Sequence, residues 1–178
     1  MTTLLSWSLL LALTVSASAQ DLIDAIEDTA RIKTDGNQTM FAKLETGKYV
    51  QIFDDEWPDG SIESVSIFEA DGITRSISVY PVCRSGNWTY GTENYYDKKG
   101  RFIGYVEIKN HFNAKCIEGS LHRTKMFIKR GGRFKLVKET ITDEDGKDLS
   151  QAGCNDPYDF KPVIIKDARK YRKRMGID

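Results

Sequence analysis

His111 and His122, with Lys125 close behind, are the residues of this chain best suited by type to move protons. An acid–base pair of the kind used by secreted nucleases needs both imidazoles within hydrogen-bond reach of one substrate. The two lie eleven positions apart, one in an irregular stretch over 109–113 and one near the start of the following strand. That spacing permits approach and does not enforce it. No nucleophile stands beside a base, and no activating histidine or basic pocket can be identified for Cys83, Cys116 or Cys154. No two of these cysteines sit at metal-ligand spacing. Asp54-Asp55-Glu56 with Asp59, and Asp143-Glu144-Asp145-Gly146, offer oxygens to Ca²⁺. Neither group has the spacing of a calcium loop, and both read as solvated turn acids. The expectation is a protein that is not an enzyme, with no cofactor and no metal.

Binding is the stronger theme, because charge is unevenly distributed. From Gln20 to Gly72 there are 13 acidic residues against 4 basic, and from Ile73 to Asp178 there are 22 basic against 13 acidic. The basic excess gathers along a predicted hairpin, where Arg123, Lys125, Lys129, Arg133 and Lys135 are expected to share one strand face. Such a face is either ordinary solvated surface or a contact for an acidic protein or anionic polymer. Trp88, Tyr90 and Tyr95, in a locally aromatic stretch, are read as a second contact candidate beside their alternative role in the core. The run from Asp167 to Met175 reads as a short helix with Ala168, Tyr171 and Met175 on one side and five bases around the rest. It is either a solvated tail or a docking element for an acidic partner. Nucleic acid is not an expected partner for an exported protein.

The elements that must position these residues are announced by glycines at 36, 47, 60, 72, 86, 100, 119, 132 and 146, with strand-like sequence in almost every interval. That beat is characteristic of an antiparallel meander. Ala70-Asp71-Gly72, Lys98-Lys99-Gly100 and Gly131-Gly132 each fit a hairpin closed by a type I turn and a left-handed glycine. On that geometry Ile128 faces Phe134, Met126 faces Leu136 and Tyr96 faces Phe102, whereas Ile67 would face Arg75 unless the bulge sits elsewhere. Ahead of the strands, Leu22, Ile23, Ile26 and Ala30 mark one face of an amphipathic helix over 21–32. The fold class is therefore mainly β. It is an up-and-down meander of about eight strands, a barrel or half-barrel, with an N-terminal amphipathic helix and a short basic C-terminal helix. The hairpin from Tyr95 to Ile103 resembles units of several bacterial surface and periplasmic β-repeat proteins. The likeness covers nine residues of mostly turn chemistry and implies no family.

The first nineteen residues read as a secretory signal peptide, with an apolar stretch around Leu9 to Leu13 and a small-x-small triplet, Ala17-Ser18-Ala19. Residues 20–178 then form one β-meander domain with a C-terminal tail from about 148. The expected location is secreted or periplasmic, with no transmembrane segment in the mature chain. Export permits a disulfide. Cys116 with Cys154 is the favoured pair, because Cys83 and Cys116 are expected to be separated by a whole strand, about 10 Å, whereas the tail bearing Cys154 is free to move. The functional expectation is an exported, non-enzymatic β protein that binds a macromolecular partner, of inhibitor or immunity type, through the basic face and the aromatics. The alternative is a barrel that carries a small apolar ligand, although the lipocalin Gly-x-Trp pattern is absent.

Overall fold

The computed structural model describes residues 4–33, 38–53, 56–112, 119–154 and 159–177, and within the first of these the side chains from residue 19 onward. In chain order the elements are α1 (Leu4–Lys33), β1 (Gln38–Leu44), β2 (Tyr49–Ile52), β3 (Ser61–Ala70), β4 (Ile73–Pro81), β5 (Trp88–Tyr96), β6 (Phe102–Phe112), β7 (Ser120–Arg130), β8 (Arg133–Thr142) and α2 (Ala168–Met175). All eight strands join one antiparallel sheet in the order β2-β1-β3-β4-β5-β6-β7-β8. The meander class is as expected. Among the described residues the sheet is not closed, with β2 and β8 as its edges, which is compatible with the half-barrel form.

Both faces of the sheet are packed. On one face α1 buries Ile26 against Tyr95, Ile103, Val106, Met126 and Ile128, with Leu22, Ile23 and Ala30 beside it. This is the apolar stripe expected over 21–32, although the helix itself runs on continuously from Leu4. Gly104 permits the approach, because a Cβ there would lie 2.3 Å from the Phe127 carbonyl oxygen and 3.1 Å from Ile26 Cδ1. On the other face the C-terminal segment lays Ile165, Ala168, Tyr171 and Met175 on Phe41, Val65, Ile67, Ile77, Val79, Tyr96, Phe102 and Tyr105. The expected face of α2 is thus the buried one, and the segment is a docked strap rather than a solvated tail.

Two hairpins differ from the sequence reading. Asp71 and Gly72 both have positive φ (56° and 69°), as do Gly131 and Gly132 (54° and 78°). Each pair makes a two-residue turn of the type I′ kind, whose twist suits adjoining strands. Ala70 therefore pairs with Ile73, and the bulge moves inward to Phe68/Glu69, which restores Ile67 opposite Ile77. At the other hairpin, Ile128 pairs with Lys135 rather than Phe134, and Phe127 rather than Met126 pairs with Leu136. A slip of one residue exchanges the faces. Leu136 lies on the strap face at the sheet edge and is 42% exposed. The β5–β6 turn is the three-residue form expected, with Gly100 donating to the Asp97 carbonyl and Tyr96 opposite Phe102.

Candidate binding cleft

The strap is held by side chains of β5 acting in place of a neighbouring strand. Thr92, Asn94 and Tyr96 alternate along β5, so all three point to the strap face. Thr92 Oγ1 accepts from Val163 N (3.1 Å) and Asn94 Nδ2 donates to Val163 O (3.0 Å). Asn94 Oδ1 accepts from Ile165 N (2.8 Å), and Tyr96 OH donates to Ile165 O (2.7 Å). At the buried Ile165 each backbone group would otherwise be left unsatisfied. Two residues later the chain enters α2. Asp167 caps it by accepting from Lys170 N, and Gly176 ends it at φ 78°.

Docking α2 this way creates a cleft of about 940 Å³ at the end of the sheet shared by the β3–β4, β5–β6 and β7–β8 turns. Seven of its lining residues are basic and two are acidic. Both acids are already used: Glu69 pairs with Arg172, which also reaches Thr74 Oγ1, and Asp167 caps α2. Arg101 is paired with Asp97 (2.6 Å), and Lys166 sits over the Phe134 ring at 5.6 Å from its centroid. Asp97 also accepts the backbone N–H groups of Lys99 and Arg101. Burial opposes ionisation of Asp97, but these bonds and the Arg101 charge hold its carboxyl below the usual carboxylate range. Lys99, Lys129, Arg169 and Lys173 remain, exposed and without an ion pair among the described residues. A cleft with a marked excess of one sign of charge concentrates the field it presents to an approaching anion.

The sequence-chosen residues fare unevenly. Arg123, Lys125 and Lys129 share the strap face, whereas Arg133 pairs with Arg130 and Lys135 with Ile128 on the α1 face. The five do not form one basic face, because the two-residue turn shifts β8 by one position. Arg123 and Lys125 also lie 3.6 Å from Glu139, and Arg123 donates to the Cys154 carbonyl. Only Lys129 reaches the cleft. Tyr90 and Tyr95 are 2% and 1% exposed and so offer no contact surface. Phe160 of the strap stacks on Tyr90 at 4.7 Å and packs on Trp88 at 4.5 Å. Burial pushes the Tyr90 hydroxyl up to about 12.

Tyr95 faces α1, where it donates to Glu93. Glu93 also accepts from Lys33 (2.6 Å) and Tyr80 (2.8 Å), and Lys33 donates to Ser78 (2.9 Å). Burial alone would raise the Glu93 carboxyl. The Lys33 charge and the three hydrogen bonds outweigh it and hold the group below the ordinary carboxylate range. Burial, and then this carboxylate, push the Tyr80 and Tyr95 hydroxyls up. The cluster fastens the end of α1 to the sheet.

His111 pairs with Leu121 and His122 with Asn110, which places the two imidazoles on opposite faces. His122 Nδ1 is hydrogen-bonded to Asn110 Oδ1 at 2.7 Å. The approach that acid–base work requires does not occur. Cys83 is a free thiol, and Cys154 is buried with Leu121 and Leu149. Cys116 and the acids Asp54 and Asp55 lie outside the described residues. Asp143 uses its carboxylate within its own turn, accepting from Asp145 N and Lys147 N.

Sequence reasoning recognised the basic α2 but missed Lys99 and Lys166 as its neighbours. Lys99 stood in view within a turn motif, and only the path of the strap brings it to α2. No family model, no curated protein and no solved structure matches the chain.

Proposed function

We propose that this chain is an exported, non-enzymatic β protein that binds an acidic macromolecular partner, of inhibitor or immunity type, through the cationic cleft beside α2. The observation that carries the reading is the state of the charges. Four cations without ion pairs among the described residues ring the cleft, while both of its acids are engaged internally. Such charges steer an oppositely charged partner and set its orientation. The sheet supplies a rigid base, and α2 is fixed upon it by Ala168, Tyr171 and Met175. Export is supported by the apolar leader ending in Ala17-Ser18-Ala19. The Cys116–Cys154 pairing belongs to the same reading and is supported by Cys83 being the free thiol.

The test is calorimetric titration of the chain with poly-glutamate at roughly 50 mM and roughly 300 mM salt. Binding is expected at low salt and should weaken steeply at high salt. Lys99→Glu with Arg169→Glu should reduce affinity at least about tenfold without moving the thermal midpoint, while Lys48→Glu, remote from the cleft, should have little effect. Affinity unaffected by the double reversal would remove the cleft from the account.

A further inference from the structure

We infer that the cleft receives a short extended segment of the partner polypeptide in which carboxylates flank an apolar side chain. This rests on the acidic-partner reading above and narrows it to one chemistry.

The first reason is the floor. Among the cations the lining includes two partly exposed apolar side chains, Ile73 on β4 and Ile177 beyond α2, set beside the buried Phe102 and Ala168. A wholly polar polyanion would leave that surface without a partner, whereas an apolar side chain would be driven onto it. The second is the distribution of charge. Lys99 stands on the β5–β6 turn, Lys129 near the end of β7, and Arg169 and Lys173 are four residues apart on α2. Three of these four are lysines, point charges on flexible stems, set around a rim rather than converging as a planar fork on one compact anion. That arrangement suits carboxylates spaced along a chain.

The third reason concerns the alternative polymer. A sugar ring would be expected to seek an open aromatic face, and Phe102 is the one ring of the lining. It is buried and packed edge-on by Tyr96 (5.9 Å, 66°) and Phe134 (6.0 Å, 87°). Size agrees as well, since about 940 Å³ is at the upper end of the roughly 300–1,000 Å³ of ligand pockets, enough for a few residues and not for a folded element.

The experiment titrates the full chain with three probes of equal net charge in the same buffer. They are an amidated peptide of Glu interspersed with Leu, the same peptide with Ser for Leu, and a heparin oligosaccharide. The Glu/Leu peptide should bind at least about tenfold more tightly than either other probe, the gain expected from burying one large aliphatic side chain. Ile177→Ser should bring its affinity down to that of the Glu/Ser peptide, and Lys99→Glu should weaken all three. Equal affinity for the two peptides, or preference for heparin, would overturn the segment inference and leave the acidic-partner reading standing. Failure of all three probes to bind would overturn both.

Discussion

Glu93 concentrates the chemistry of single residues in this fold. Its folded-state pKa is depressed below the ordinary 4.5, so the ionised form stabilises the fold above about pH 4.5. That stabilisation is lost as the pH falls through the lowered value. The thermal midpoint should therefore fall on acidification below pH 4.5. Glu93→Gln should lower it at neutral pH by an amount equivalent to about 3 kcal/mol, because Lys33 loses its buried partner, and should flatten the acid limb. Calorimetry of both proteins across the acid range checks this, and an unchanged acid limb in the variant would assign the pH dependence to other groups. At Gly91 a Cβ would lie 2.0 Å from the Tyr80 ring, and the hydrogen bond to Glu93 keeps that ring in place. Gly91→Ala should cost roughly 2–3 kcal/mol, measurable by denaturant unfolding. None of this was legible in the sequence. Ser76, Ser78, Thr92, Glu93 and Asn94 are all buried, and polar residues at consecutive positions resemble solvated strand until their partners are known.

Among elements, the strap decides what the C-terminal half of the cleft is. Asn94→Ala would strand the Ile165 N–H and weaken the hold on Val163. The expected cost is about 2 kcal/mol, with faster hydrogen exchange at Ile165 and Tyr171 than in β3 or β6. If α2 stays as well protected as in the parent, its apolar face and not the β5 side chains holds it. Strand number was readable because glycine turns separate the strands. Order was readable from β3 onward, where each connection joins sheet neighbours, but not at Gly60, because β3 pairs with β1 rather than with β2. Register was readable at Gly100 for Tyr96 and Phe102 only, since a bulge then pairs Tyr95 with Gly104 rather than Ile103, and it was not readable at Gly72 or Gly132. The same Asp-Gly or Gly-Gly pair can close a two-residue or a three-residue loop, and only the conformation of the preceding residue separates them. Asp71 at φ 56° is such a residue. The conflict between Ile67 and Arg75 was the visible symptom. Its resolution places Arg75 in the bulge, donating to the Tyr96 carbonyl.

For the molecule as a whole, the charge asymmetry along the chain reappears in space only in part. Asp21, Asp24, Glu27 and Asp28 are exposed on α1, over one face of the sheet, and the uncompensated cations gather beside α2 over the other. Composition revealed the asymmetry, but the cleft depends on turns and a strap that meet only in the folded chain. The most direct measurement is a backbone amide map of the isotopically labelled chain, titrated with the Glu/Leu peptide at low salt. Shifts should concentrate at Gly72, Gly100, Ala168 and Arg169 and vanish when Lys99 and Arg169 are reversed to Glu. Shifts centred instead on the outer edge of β8, or spread evenly over exposed lysines such as Lys48 and Lys147, would contradict a cleft that binds.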